Sequence, residues 1–237
     1  MRALIASGLE ALGLAACVPQ DAPDQLARYG QLLLEQNRVM NLTAITEPRD
    51  VATLHMLDCA PLLECARLNG SRVIDVGTGA GFPGMVLKIL CPTLDLTLLD
   101  SLQKRLDWLE SVAGALGLDG VRTVHGRAEE AGQDPSLREQ FDVAAARAVA
   151  DLRVLSELCL PFVRPGGRFL AMKSTECGPE LEAARPAIRA LGGDVAGAWD
   201  YTIPHTAVTH RVVVIEKTAP TPARYPRRWA KIQKSPL

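Results

Sequence analysis

From Arg72 onward the chain alternates short apolar runs with amphipathic stretches, and this beat constrains its fold more than any other feature. Residues 72–76 precede a glycine-rich turn and a helical stretch at 85–90, and 94–99 lead into a second at 102–116. Residues 121–125, 141–146 and 168–172 continue the series, with helical patterning near 152–163 and 179–191. Strands alternating with helices predict a parallel sheet covered on both faces and joined by right-handed crossovers. The last two runs, 199–204 and 208–216, lie too close for a crossover and predict an antiparallel hairpin. The expected fold is therefore α/β, with a mainly parallel sheet of seven strands. Before residue 72 no strand-like alternation occurs. Leu26, Tyr29, Leu32, Leu33 and Leu34 fall at helical spacing, and a further helix is expected after Glu47-Pro48-Arg49-Asp50. The chain thus divides into a helical lobe (1–69), an α/β domain (70–217) and a basic tail (218–237).

Composition narrows the class. The chain is 48% hydrophobic and 22% charged, which is globular arithmetic, and no uncharged apolar run is long enough to span a membrane. Leu14-Ala15-Ala16-Cys17 mimics a lipoprotein cleavage box, but Glu10 interrupts the apolar core that export would need. Six scattered cysteines without a C-x-x-C pair predict reduced thiols in a cytoplasmic protein, with no metal site. Cys91 and Cys159 fall in helical stretches and read as buried thiols. The formal net charge is −1, yet the tail after Lys217 holds five basic residues and no acid. An acidic body with a basic tail points to a polyanion touched locally. The run Thr218-Ala219-Pro220-Thr221-Pro222 is expected to leave the domain as an extended, proline-stiffened arm. The opposing reading folds Tyr225-Pro226 and Trp229 back over the sheet.

The glycine-rich turn, Asp75-Val76-Gly77-Thr78-Gly79-Ala80-Gly81-Phe82-Pro83-Gly84, carries the chemistry. Glycines let backbone amides approach a ligand closely. Gly79 to Gly84 fits the dinucleotide pattern G-x-G-x-x-G, and Asp100 ends the next strand where a ribose hydroxyl would be met. The other frame is Asp75 followed by Gly77, Gly79 and Gly81, the layout used for S-adenosylmethionine. Asp75 favours the second frame, because a pyrophosphate would meet a like charge there and a sulfonium would not.

The ordered set of motifs resembles the RsmG (GidB) family of bacterial guanine-N7 methyltransferases. It comprises Asn41-Leu42-Thr43-Ala44-Ile45, His55 with Asp58, the 75–84 loop, Leu99-Asp100-Ser101 with Lys104-Arg105, Gly126-Arg127-Ala128-Glu129-Glu130, Ala146-Arg147-Ala148-Val149 and Tyr225-Pro226-Arg227. Cys59, Ala171-Met172-Lys173-Ser174 and Trp229-Ala230-Lys231-Ile232 depart from the family pattern. The resemblance implies a Rossmann-like class I methyltransferase fold and S-adenosyl-L-methionine as cofactor. It further implies guanine 527 of 16S ribosomal RNA as target and the small ribosomal subunit, or an assembly intermediate, as partner. By the same resemblance Gly77 and Phe82 line the methionine side, Ala128 and Glu129 the adenine, and Arg147 the polar end near the acceptor.

Guanine N7 carries no proton, so its methylation needs alignment and not a general base. Arg147 is therefore a positioning residue, and His55 and Asp58, three apart on one helix face, read as positioning or structural. No Asn-Pro-Pro-aromatic stretch follows the fourth strand, against the common amine-methylating design, and no cysteine there could serve covalent pyrimidine methylation. Candidate RNA contacts are His55, Lys104, Arg105, Lys173, Arg211, Arg227, Arg228 and Lys231. The protein is expected to act as a monomer. The alternatives are methylation of another RNA or a small molecule, a nicotinamide oxidoreductase, and a non-catalytic ribosome assembly factor.

Overall fold

The computed structural model describes residues 1–147 and 150–237. Ala148 and Val149, which close one of the motifs above, lie outside the described residues. Seven strands form one sheet: β1 (Arg72–Val76), β2 (Asp95–Asp100), β3 (Val121–His125), β4 (Phe141–Arg147), β5 (Val163–Ser174), β6 (Gly193–Thr202) and β7 (Thr209–Lys217). Their order is β3-β2-β1-β4-β5-β7-β6. Pairings from β3 across to β5 are parallel, whereas β7 runs antiparallel to both β5 and β6. The expected seven-stranded, mainly parallel sheet with its closing hairpin is the observed one. β5 begins at Val163, five residues earlier than its apolar run indicates, because a turn of 3₁₀ helix (Leu160–Phe162) ends the preceding helix.

Helices α1 (Arg2–Ala11), α2 (Ala22–Met40), α3 (Pro48–Asp50) and α4 (Leu62–Cys65) build the lobe. Pro23 sits in the first turn of α2, where its missing N–H costs nothing. Asn41 ends that helix at φ 50°, a left-handed cap that asparagine tolerates. α3 continues as a π-helical turn (Val51–Leu57), in which every residue but Leu54 is buried. α5 (Gly84–Leu90) and α6 (Gln103–Ala115) cover the sheet on the lobe's side, and one apolar layer runs from Ile5, Leu26 and Leu33 through Met56 to Val86, Leu98 and Leu109. α7 (Ala128–Ala131), α8 (Leu152–Cys159) and α9 (Gly178–Ala190) follow β3, β4 and β5, and the layer holding α8 and α9 covers the other face. All six cysteines are free. Cys159 is buried as expected, but Cys91 lies just past α5 and is only half-buried.

The extended arm expected after Lys217 does not form. Thr218 and Ala219 donate their amides to the Gly192 carbonyl, and the Thr221 hydroxyl donates to Leu191. The Arg138 guanidinium gathers the carbonyls of Gly132, Thr221, Pro222 and Tyr225. A last helix, α10 (Trp229–Lys234), buries Ile232 against the α8 side of the core. Backbone satisfaction and apolar burial override the local stiffness of the prolines.

Candidate active site

A cleft of about 440 Å³ opens at the carboxyl ends of β1, β2, β3 and β4. The strand order reverses between β1 and β4, the place where open α/β sheets bind ligands. The glycine loop after β1 forms its floor. Gly77, Gly79 and Gly81 all adopt positive φ, at 71°, 57° and 89°. The amides of Gly77 and Thr78 donate to the Leu99 carbonyl, and the Gly79 amide donates to Asp100 Oδ2 at 2.9 Å. Gly79 lines the cleft, and a Cβ added there would meet nothing nearer than the Gly77 carbonyl at 4.0 Å.

Two of the expected cofactor contacts are placed elsewhere. Gly81 does not line the cleft; a Cβ on it would strike the Tyr29 hydroxyl, Leu109 and Met85, so its glycine serves close packing. Asp75 is fully buried beneath the loop, where Oδ2 accepts from Thr78 Oγ1 at 2.6 Å and from the Gly84 amide at 2.9 Å. Burial pushes its carboxyl up to about 6, with these hydrogen bonds opposing the rise. Asp75 thus ties the loop to the start of α5 through Oδ2, while its buried Oδ1 has no hydrogen-bond partner among the described residues.

The remaining expected residues converge. Gly77, Phe82, Asp100, Ala128, Glu129 and Arg147 all line the cleft. Asp100 is buried, its Oδ1 capped by the Leu102 amide and its Oδ2 3.4 Å from Arg105 Nη1. Glu129, at the start of α7, is buried too, with Arg127 at 3.6 Å.

At the opposite end Arg147 joins the lobe to the sheet. Its Nη1 donates to the Leu54 carbonyl and to Asp58 Oδ2, both at 3.1 Å, and its Nη2 donates to His55 Nδ1 at 2.9 Å. The guanidinium lies 4.8 Å from the Phe82 ring centre, and the His55 ring stacks on Phe82 at 4.5 Å. Because His55 Nδ1 accepts, Nε2 carries the proton and donates to Thr43 Oγ1 at 2.8 Å. Burial, then the charge of Arg147, pull His55 down to about 3, so the ring is neutral. Thr43 is fixed in turn by Asn37, which exchanges two hydrogen bonds with its backbone. Asp58 Oδ1 accepts from the Tyr201 hydroxyl at 2.8 Å and pairs with His210 Nδ1 at 2.7 Å.

The candidate RNA contacts separate into two groups. Lys104, Arg228 and Lys231 are exposed, and Arg105 and His55 line the cleft. Arg105 also pairs with Asp100, and Lys173, Arg211 and Arg227 are held by acids away from the cleft lining. Lys173 pairs with Glu180 at 2.5 Å, and Arg211 grips Asp200 through two nitrogens. Arg227 forms a two-pronged pair with the fully buried Glu157. These three read as structural ties. Tyr201, His210, Tyr29 and Glu157 carry no site signature of their own in the sequence, since each meets a partner far away in the chain.

Sheet order, loop and cleft define a Rossmann-like class I methyltransferase fold. An S-adenosylmethionine-dependent O-methyltransferase of Thermotoga maritima superposes with a TM-score of 0.55 at 17% identity, over 80% of this chain and 72% of that one. TrmN from Thermus thermophilus does so at 0.52 and 27% identity, over 67% of this chain and 48% of that one. The chain belongs to the GidB family, rRNA small subunit methyltransferase G, whose pattern matches residues 23–198. It is 46% identical to ribosomal RNA small subunit methyltransferase G of Alkaliphilus metalliredigens, over 99% of this chain and 98% of the relative. Identity to the protein of that name from Symbiobacterium thermophilum is 47%, over 100% and 98%.

Proposed function

We propose that this protein transfers a methyl group from S-adenosyl-L-methionine to N7 of a guanine in 16S ribosomal RNA, the base at position 527 by family. The observation that carries the reading is the glycine loop, whose Gly79 faces an open cleft while its amide is pinned by a buried acid. The residues present fit the cofactor. Asp100 keeps lone pairs for a ribose diol, Ala128 and Glu129 suit an adenine edge, and Gly77, Phe82 and Arg147 suit the amino-acid half. When bound, the cofactor supplies an electrophilic methyl on a sulfonium.

The chain's own contribution is alignment. Arg147 is immobilised by Leu54, His55 and Asp58, so the guanidinium lining the cleft is a cation held in one place. His55 already accepts from Arg147, and both Asp58 oxygens are occupied. A neutral, in-plane lone pair such as N7 is the acceptor this arrangement suits, because it asks for no base. A small-subunit RNA substrate supports action in the cytoplasm on the small subunit or its precursor, and we take the acting form to be a monomer. No described helix is long and apolar enough to cross a membrane.

The test is methyl transfer from labelled donor to unmodified small-subunit RNA, with the modified base mapped. S-adenosylhomocysteine should raise the melting temperature while NAD and NADP do not, since ligands stabilise through the native state. Stabilisation by a dinucleotide alone would restore the oxidoreductase reading. Cofactor binding without transfer to RNA or particles would favour an assembly factor.

A further inference from the structure

Trp229 lies beyond the stretch that the family pattern matches, yet it lines the cleft. Among the described residues three aromatic ones do so: His55, Phe82 and Trp229. The first two stack on each other at the Arg147 end. Trp229 instead shares its wall with Arg127 and Glu129. The same three residues also border a second cavity of about 670 Å³, whose other walls include Gln133, Pro226 and Arg228. Trp229 is half-buried and lines both cavities.

Contacts on either side of it in the chain fix its position. Two residues earlier, Arg227 donates through its amide and Nε to Glu157 Oε1 and through Nη2 to Oε2. Gln133 Nε2 donates to the Pro226 carbonyl at 2.8 Å. One turn further on, Ile232 is fully buried. A large flat ring held by an ion pair on one side and a core contact on the other loses little entropy when a ligand packs on it.

We infer that Trp229 is a cofactor-binding residue, the aromatic wall against the purine of the adenosyl group, so that the C-terminal segment is part of the cofactor site. This rests on the methyltransferase reading. Asp100 and Glu129 supply polar contacts at that end, and among the described lining residues there only the indole offers an aromatic face. The basic residues beside it, Arg228 and Lys231, remain on the outer surface.

Calorimetric titration of the full-length protein with S-adenosylhomocysteine and with 5′-methylthioadenosine tests the assignment. Trp229→Ala should weaken both ligands by the same factor, at least about fivefold, because both carry the purine. Trp229→Phe should stay within about threefold of wild type, since a ring face survives. Addition of S-adenosylhomocysteine should change tryptophan emission in wild type and not in Trp229→Phe, although Trp108 and Trp199 remain. Wild-type affinity in a folded Trp229→Ala protein would overturn the inference and assign the indole to packing or to the second cavity. If Trp229→Ala fails to fold, Trp229→Phe decides, and a retained emission change overturns the inference. A wild-type protein indifferent to S-adenosylhomocysteine would overturn the methyltransferase reading and this inference with it.

Discussion

Asp58 receives side chains from three directions: Arg147 at the end of β4, Tyr201 on β6 and His210 on β7. Its hydrogen bond holds His210 above the usual imidazole range, against opposing burial and the charge of Arg147. A raised folded pKa means that this stabilisation is complete below about pH 6.5 and is lost as pH rises through the folded value. The stability advantage of wild type over His210→Gln should therefore be larger at pH 6 than at pH 9, as denaturant titrations at the two pH values would show. An advantage that grows with pH would contradict the pairing. Arg147→Ala should lower methyl transfer at least tenfold, about 1.4 kcal/mol of lost transition-state stabilisation. It should also destabilise the fold, because Asp58 would stay buried with its main counter-charge gone. Arg147→Lys separates the two effects: it restores part of the stability but not the forked contact to His55 and Asp58, so turnover should remain depressed. His55 and Asp58 stand close enough in sequence to be read as a pair. Tyr201 and His210 lie 143 and 152 residues from Asp58, and no local pattern announces a contact made by the return of a hairpin.

The glycine loop shows the same division at the level of an element. In sequence Gly77, Gly79 and Gly81 are equivalent members of one motif, and all three need a positive φ. Their surroundings differ. Gly79 faces the cleft, so Gly79→Val should abolish stabilisation by S-adenosylhomocysteine while the unliganded fold loses only about 1–2 kcal/mol to backbone strain. Gly81→Ala should do the reverse, lowering the melting temperature sharply through collision with Tyr29 and Leu109. Paired melting curves with and without ligand distinguish them, and equal behaviour of the two variants would refute the assignment. What separates these glycines is Tyr29, fully buried, whose hydroxyl donates to the Ala80 carbonyl and whose ring lies 5.4 Å from Phe82. The helical lobe thereby shapes the loop. β1, β2 and β4 were legible because buried parallel strands are continuous apolar runs bounded by turns. The π-helical turn that presents His55 was not, since its winding depends on packing and leaves no periodic mark of its own.

At the scale of the molecule the basic tail does two jobs that its composition merges. Arg227 neutralises Glu157, which has no solvent exposure, while Arg228, Lys231 and Lys234 point their charge outward from α10. The charge run was visible in the sequence, but its split into anchor and surface depends on an acid in α8 that no spacing rule connects to it. Arg227→Ala should cost about 3 kcal/mol or more by stranding a buried carboxylate, and should leave the salt dependence of RNA binding unchanged. The joint replacement of Arg228, Lys231 and Lys234 by glutamine should do the opposite. Each of these cations that meets a phosphate releases counterions, so its removal should flatten the logarithmic salt slope by about 0.7 for single-stranded RNA, with melting unchanged. Truncation after Thr218 removes anchor, Trp229 and surface charge together. Stability, cofactor affinity and salt slope should then all fall. RNA binding across a salt series, beside melting curves of the three variants, resolves the roles. A triple glutamine variant with the wild-type slope would show that these charges only solvate α10, and the phosphate contacts would then be sought at Lys104 and Arg105 beside the cleft.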